Sequence, residues 1–202
     1  MIFADPEFIP LVEEVARELP RLRHKVALAD LAPEGWIPYE VLVASGDPAA
    51  PLAVLDEEAA AGLCYTSGTT GEPKGVLYSH RAIALHTLAI CLPDGFGLGE
   101  ADVVLPAVPM FHANAWGLAH AAAMTGATLV LPGARPSAER LAGLLEGEGV
   151  TFAAGVPTVW MGVLDELRAR PRALAPRLRI HSGGAPTAPA LLGGSPGSSS
   201  PD

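Results

Sequence analysis

Apolar residues recur along the chain at helical spacing in some stretches and as short continuous runs in others. Near the N-terminus, four apolar residues follow one another at intervals of three or four positions: Phe8, Val12, Val15 and Leu19. This spacing predicts a helix, for which Asp5 and Pro6 are a typical N-cap and first helical residue. An apolar run at residues 25–30 predicts a strand, and residues 31–60, which show no clear period, predict a loop.

From residue 63 onward, apolar runs alternate with helical periods. Two runs flank a polar loop and predict a pair of hairpin strands: residues 63–65 and 75–79. Four later runs predict further strands: residues 103–109, 128–133, 150–155 and 177–184. Four helical stretches separate these runs: residues 79–92, 115–125, 137–146 and 157–168. Ser79 and Ser137 are typical N-caps, and Pro157 is a typical first helical residue. This alternation is typical of an α/β fold with a mostly parallel sheet and helices on both faces.

The composition fits a globular chain of one domain, or one domain and a part. Half of the 202 residues are hydrophobic but only 5% are aromatic, so Ala, Val and Leu must build the core. Acidic residues outnumber basic ones by 22 to 13, and the formal net charge is -9. Because a phosphate backbone needs a basic face, this charge speaks against a nucleic-acid partner.

Three features bear on the membrane and the compartment. Residues 103–134 contain no Asp, Glu, Lys or Arg, but three prolines and two histidines interrupt them, so we predict no transmembrane segment. The first ten residues have neither a basic start nor a long apolar run, and do not resemble a signal peptide. Cys64 and Cys91 lack the spacing of a metal site or a redox pair, which predicts reduced core thiols and a cytoplasmic protein.

The loop between the predicted hairpin strands carries more polar chemistry than a turn requires. It combines four hydroxyls, two glycines, a proline and a lysine: Thr66, Ser67, Thr69, Thr70, Gly68, Gly71, Pro73 and Lys74. Small residues let backbone N–H groups approach an anion, hydroxyls donate to phosphate or ligate Mg²⁺, and the lysine adds positive charge. This favours a phosphate-binding loop over a solvated turn, which rarely needs more than about five residues. The P-loop of nucleoside triphosphatases does not match, because Gly75 follows Lys74.

Two further polar segments follow predicted strands, "PMFHANAW" at residues 109–116 and "HSGGAP" at residues 181–186. In parallel sheets, ligands bind at the carboxyl ends of the strands. Position alone leaves two interpretations of His112 open, a site residue or a core histidine with one backbone partner. Trp116 is likewise either a site residue or core packing.

The three polar segments together resemble motifs of a known enzyme family. "YTSGTTGEPKGV" is similar to the signature of the acyl-adenylate-forming enzymes, which include acyl-CoA synthetases, luciferases and peptide-synthetase adenylation domains. "VPMFHANAW" resembles the histidine motif of that family, and "HSGGAP" resembles the segment that borders the adenine site. The similarity is greatest to bacterial long- and medium-chain fatty-acyl-CoA synthetases. It covers residues 1–192 and implies part of the large adenylate-forming domain, incomplete at both ends.

The resemblance implies a reaction in two halves. A carboxylic acid reacts with ATP to form an acyl-adenylate and pyrophosphate, and coenzyme A then takes the acyl group. Lys74 and His112 are the implied catalytic residues, with His112 facing the acyl carboxylate and the α-phosphate. Thr69 is the implied Mg²⁺ ligand, and Trp116 is the implied gate of a fatty-acid tunnel. The implied nucleotide-binding set is Thr66, Ser67, Gly68, Thr69, Thr70, Gly71, Lys74, Gly183, Gly184 and Ala185.

The resemblance also sets expectations for the whole chain. The cofactors are ATP, Mg²⁺ and coenzyme A as co-substrate, the partner is a fatty acid or a related carboxylic acid, and the full-length family implies a homodimer. Later family motifs, among them an acidic Mg²⁺ partner and a lid lysine, do not occur in these 202 residues, so we expect the chain to be inactive alone. Two alternatives stay open, a ligase for another acid and a non-catalytic nucleotide-binding remnant.

The last ten residues differ from the rest. Residues 193–202 form a Gly/Ser/Pro-rich tail outside the family pattern. The run Gly193–Gly197 matches the hydrolase elbow G-x-S-x-G by spacing, but Pro196 lacks the N–H that an oxyanion hole needs. We assign helix-surface or packing roles to four other histidines: His80, His86, His120 and His181.

Overall fold

The computed structural model describes residues 1–66 and 72–186, and the chain divides into two compact units after Val54. In the first unit, three short parallel strands pair in the order β1 (Ile2–Ala4), β2 (Lys25–Ala27) and β3 (Ile37–Pro38). A 3₁₀ turn at Pro6–Phe8 leads into helix α1 (Ile9–Ala16), and helix α2 (Tyr39–Ala44) follows β3. Ala4, Ala27 and Trp36 are the buried residues of this small core.

Two predictions for this unit were wrong in detail. Asp5 and Pro6 are the N-cap and first residue of a 3₁₀ turn and not of the α-helix, which begins only at Ile9, and Asp5 makes no side-chain cap bond. The stretch predicted as loop contains β3 and α2. A helix of six residues is shorter than two turns, so its sequence shows too few helical periods to stand out among prolines.

The second unit begins with an antiparallel hairpin of β4 (Ala60–Thr66) and β5 (Lys74–Ser79), which confirms the predicted strand pair. Helix α3 (His80–Cys91) follows directly, and the Ser79 hydroxyl caps it by accepting the N–H of Ala82 at 3.1 Å. Cys64 is buried in β4, and Cys91 is half-buried at the end of α3. Burial raises the pKa of the Cys91 thiol, which keeps it in the unreactive protonated form.

A four-stranded parallel sheet forms the centre of the second unit. Its strands are β6 (Val103–Pro106), β7 (Thr128–Leu129), β8 (Phe152–Gly155) and β9 (Arg179–Ser182), in the order β7-β6-β8-β9. The runs "VVLP" and "FAAG" are almost entirely buried, as expected for central parallel strands. Helices α4 (Leu118–Thr125), α5 (Ala138–Gly147) and α6 (Pro157–Ala169) connect the strands.

Helices cover both faces of this sheet. Leu105 and Ala153 pack with Leu141 of α5 and Trp160 of α6 on one face. The neighbouring strand positions turn to the other face, where Val104, Phe152 and Ala154 pack against residues of α4 such as Leu118. The alternation of side chains therefore builds two cores, one on each face, which confirms the predicted α/β class and its Ala-, Val- and Leu-rich core.

A charged cluster joins the amino ends of three strands. Asp102, just before β6, accepts hydrogen bonds from the Thr151 hydroxyl at 2.7 Å, from Arg179 at 2.9 Å and from the Gly99 N–H at 2.9 Å. Thr151 precedes β8 and also accepts the N–H of Val103, while Arg179 opens β9. Burial alone raises the pKa of Asp102, but the hydrogen bonds from Thr151, Gly99 and Arg179 outweigh it and lower the pKa. The ionised carboxylate thus holds together the edge of the sheet at which β6, β8 and β9 begin.

Candidate active site

The carboxyl ends of β6, β8 and β9 lie side by side because these strands pair in register. Pro106 lies opposite Ala154, and Gly155 lies opposite Ser182. Backbone bonds continue the alignment past the strand ends, from the Ala107 N–H to Ala154 O at 2.8 Å and from the Gly183 N–H to Gly155 O at 3.3 Å. The segments that leave this edge contain two of the three predicted motifs, "PMFHANAW" and "HSGGAP".

The segment after β6 forms a left-handed turn instead of the start of the predicted helix. Ala113, Asn114, Ala115 and Trp116 all have φ between 47° and 55°, and Gly117 continues at 76°. Left-handed backbone costs roughly 1–2 kcal/mol for each non-glycine residue, so consecutive examples need firm support from their surroundings. The prediction of a helix from Ala115 was therefore wrong at its start, and α4 begins at Leu118.

Packing against neighbouring elements provides part of that support. Ala115 is fully buried in the core on the α4 side of the sheet. Gly117 lies so close to α3 that a Cβ there would come within 2.8 Å of the His86 ring. Gly117 also needs its positive φ, so glycine is required at this position for both reasons. Tertiary contacts thus override the good helix propensity of the surrounding alanines.

A cavity of about 550 Å³ opens beside this turn. Among the described residues, its lining is mostly apolar, with one phenol, one amide and three imidazoles and no Asp, Glu, Lys or Arg. Pockets for small molecules commonly have this size and this mixture of apolar walls and few polar groups. The described residues that line it are Tyr78, Ala82, Ile83, His86, Phe96, Ala113, Asn114, Trp116, Gly117, His120, His181, Gly183 and Gly184.

Aromatic rings form one wall of the cavity. The His181 ring on β9 lies 5.4 Å from the Trp116 ring at an interplanar angle of 83°, and 4.8 Å from the Phe96 ring. The Trp160 indole N–H donates to the His181 carbonyl oxygen at 3.1 Å and ties this strand end to α6. The wall is therefore held by aromatic packing and by one part-buried hydrogen bond.

The two glycines after β9 keep the neighbouring space narrow but open. A Cβ on Gly183 would lie 3.3 Å from the Trp116 ring and 3.5 Å from the His181 ring. Gly184 has a φ of +82°, which favours glycine on backbone grounds as well. Backbone that carries no side chain lets the Trp116 and His181 rings approach Gly183, and the adenine-binding role of the two glycines stays a prediction. Ala185, the third residue of the predicted set, is exposed next to it.

The signature loop connects the two hairpin strands. Thr66 ends β4 and lies opposite Lys74, the first residue of β5, and the Thr66 hydroxyl donates to the Lys74 carbonyl oxygen at 3.5 Å. Lys74 is exposed and forms no ion pair with any residue that the structure describes. The five residues Ser67, Gly68, Thr69, Thr70 and Gly71 lie outside the described residues, so their predicted roles stay predictions.

The structure brings together only part of the predicted site. Trp116, Gly183 and Gly184 meet at the cavity, whereas His112 and Lys74 are exposed and are not among its lining residues. The His112 N–H donates to Pro109 O at 3.0 Å, and His112 immediately precedes the left-handed turn. Within residues 1–66 and 72–186, no three His, Cys, Asp or Glu side chains gather as a metal-binding group.

Sequence reasoning did not single out several cavity residues. His86 and His181, which received packing or surface roles, both line the cavity. The helical spacing of α3 and the position of His181 in β9 could have indicated these residues. Ala82, Ile83 and His86 share one face of a helix, and His181 lies on β9 two residues before Gly183, which directly follows that strand.

The described elements thus define an α/β protein with a ligand cavity at the carboxyl edge of a parallel sheet. Residues 1–193 match the model of the family described as AMP-binding enzyme, so the chain belongs to that family. Its fold resembles the crystal structure of an anthranilate CoA ligase in complex with anthranoyl-AMP, with a TM-score of 0.78 and 24% sequence identity. That match covers 95% of this chain and 37% of the other.

Two relatives show the level of sequence similarity. The chain is 49% identical to a long-chain-fatty-acid–CoA ligase of Thermus thermophilus, over 95% of this chain and 35% of the relative. It is 43% identical to a 3-methylmercaptopropionyl-CoA ligase of Ruegeria pomeroyi, over 95% of this chain and 37% of the relative. The chain thus spans little more than a third of the length of these relatives. In the part of the chain that the structure describes, no helix is long and apolar enough to cross a membrane.

Proposed function

We propose that the protein containing this chain is an ATP-dependent acid–CoA ligase. It joins a carboxylic acid to the α-phosphate of ATP, which releases pyrophosphate, and then transfers the acyl group from AMP to the thiol of coenzyme A. The observation that carries this proposal is the meeting of the motifs after β6 and β9 at one cavity, in a chain that belongs to the AMP-binding enzyme family.

The first half-reaction joins two anions, so the site has to neutralise charge and hold the reactants in line. We assign the binding of the β- and γ-phosphates of ATP to Lys74 and the signature loop, residues 66–71, because Lys74 is exposed beside that loop. His112 faces the carboxylate and the α-phosphate, and Gly183 and Gly184 lie against the adenine. Mg²⁺, when bound, would shield the charge on the departing pyrophosphate. Its proposed ligand, Thr69, lies outside the described residues.

We propose a fatty acid as the substrate class. The residues of the cavity lining that the structure describes include no Asp, Glu, Lys or Arg, and apolar side chains such as Ile83, Phe96 and Trp116 suit the hydrocarbon part of an acid. The cytoplasmic location and the homodimer also stay predictions.

ATP–pyrophosphate exchange with a panel of acids tests the proposal. Straight-chain fatty acids of increasing length, an aromatic acid and a short thioether acid are compared in the full-length protein. Exchange that depends on a fatty acid supports the proposal, exchange with another acid assigns a different substrate, and nucleotide binding without exchange indicates a non-catalytic remnant.

We expect the 202-residue chain by itself to release no fatty-acid-dependent AMP. It spans little more than a third of the length of the ligases that it matches, and groups that act as a unit lose most of the rate when some are missing. Purified chain is incubated with ATP, Mg²⁺, coenzyme A and a fatty acid, and AMP is measured. Fatty-acid-dependent AMP above the no-acid control would contradict this expectation.

Trp116→Ala should change the acyl-chain preference of the full-length ligase. The change removes a ring that packs on His181 and borders the Gly183 backbone, and so enlarges the cavity. We expect the ratio of kcat/KM for long and short fatty acids to change by about tenfold, the effect of one or a few methylene contacts. Trp116→Phe retains an aromatic ring and serves as the control with a smaller change. An unaltered ratio in Trp116→Ala would remove Trp116 from the acyl site.

A further inference from the structure

We propose that Cys64 and Asn114 are positioning residues whose side-chain hydrogen bond holds the left-handed turn before α4. The Cys64 thiol donates to the Asn114 amide oxygen at 3.0 Å, across 50 positions of the sequence. The catalytic consequence of this bond rests on the proposed function, but its structural consequence does not.

The turn needs an external restraint because its backbone is strained. Four consecutive non-glycine residues have left-handed φ, and asparagine is the residue among them that tolerates this conformation best. The backbone bonds within the segment are local, from the His112 N–H to Pro109 O and from the Ala115 N–H to His112 O. Among the described residues, the bond from Cys64 is the side-chain hydrogen bond that ties the turn to another element.

The inward face of β4 leaves room for the Asn114 amide. Cys64 is 6% exposed, whereas Leu63 and Tyr65 on either side are more than half exposed, so the thiol is the part of this strand that faces inward. Gly62 lies two residues earlier on the same face, and a Cβ there would come within 3.8 Å of the Asn114 amide nitrogen. The Asn114 side chain therefore lies against Gly62 and Cys64, two small residues on the inward face of β4.

The bond links two segments that the proposed reaction uses. Cys64 lies two residues before Thr66, where β4 enters the signature loop. Asn114 lies two residues after His112 and two before Trp116. With Ala115 in the core and Gly117 against α3, the Cys64–Asn114 bond fixes the side of the turn between His112 and Trp116. Its loss should let the turn relax and move both rings.

Fluorine NMR of protein labelled with 5-fluorotryptophan tests this directly. The chain has three tryptophans, so the Trp116 signal is assigned by its absence in Trp116→Phe, while Trp36 and Trp160 serve as internal references. Asn114→Gly removes the amide but tolerates positive φ, and should shift or broaden the Trp116 signal alone. Ala113→Gly adds the same backbone freedom one residue earlier, retains the bond, and should leave the signal in place.

Changes at the donor complete the test. Cys64→Ala should reproduce the effect of Asn114→Gly, and the double variant should go no further than either single one. Cys64→Ser retains a donor and should preserve the signal. If Asn114→Gly does not fold, Cys64→Ala decides, because it leaves the sequence of the turn intact. An unchanged Trp116 signal in Cys64→Ala, or equal movement of all three signals, overturns the inference.

Kinetics of the full-length ligase separate this inference from the proposed function. Asn114→Gly and Cys64→Ala should each lower kcat/KM for adenylation by about tenfold, without additivity and with little change in the KM for ATP. Additive losses, or losses in which the KM for ATP rises, contradict a shared positioning role. If no acid supports adenylation, the proposed function fails, while the fluorine signals still decide whether the bond holds the turn.

Discussion

Replacing Lys74 with alanine in the full-length ligase is expected to slow acyl-adenylate formation by about 30- to 1,000-fold, or about 2–4 kcal/mol. The physical reason is the negative charge that a carboxylate and a triphosphate bring to the same site. Lys74 begins β5 beside the signature loop and has no acidic partner among the described residues, so its charge is available to an anion. Thr69→Ala should have a similar effect through lost phosphate and metal contacts. ATP–pyrophosphate exchange at saturating acid measures both.

Arg81→Ala is the matched control for Lys74→Ala. Arg81 is a basic residue on the helix that follows β5, but its guanidinium is occupied by Glu57 at 2.6 Å and lies at the surface. Surface ion pairs contribute little, so this variant should retain the adenylation rate within about twofold. If Lys74→Ala adenylates at the rate of Arg81→Ala, the phosphate-binding role of the loop is wrong.

Asp102→Ala is expected to lower the free energy of unfolding by about 3 kcal/mol, because it breaks several hydrogen bonds to one mostly buried carboxylate. The change separates the amino ends of β6, β8 and β9, which Asp102, Thr151 and Arg179 hold together. Asp94→Ala is the control, since Asp94 is an exposed aspartate on the loop before Asp102 and should cost less than about 0.5 kcal/mol. Urea unfolding followed by circular dichroism compares them, and equal midpoints would contradict the role of the cluster.

The same carboxylate predicts a pH dependence of stability. The pKa of Asp102 is lower in the folded than in the unfolded chain, so the folded state favours the ionised form. This contribution is fully present above the ordinary aspartate pKa of about 4 and is lost as the pH falls through the lower folded pKa. Asp102→Asn should therefore show a shallower loss of stability below about pH 4 than the wild type. Parallel curves would indicate that other carboxylates dominate acid unfolding.

Local signals predicted the larger elements well. Ser79 and Ser137 cap α3 and α5 through side-chain bonds of 3.1 Å, and Pro157 begins α6. The apolar runs of β6 and β8 are central strands. These features depend on residues within a few positions of each other, so their physics is readable from a single segment. The short α2 and the boundary of α4 were missed, because the first shows too few periods and the second depends on distant contacts.

The sequence by itself determined the α/β alternation and the resemblance to acyl-adenylate-forming enzymes, and it predicts a phosphate-binding role for the signature loop. It did so because capping, periodicity and loop chemistry are encoded by neighbouring residues. Only the tertiary structure decided the left-handed turn at Ala113–Gly117, the cavity wall that includes His181, and the bond from Cys64 to Asn114. Each of these depends on packing between segments far apart in the chain, which can hold a backbone in a conformation that its own residues disfavour.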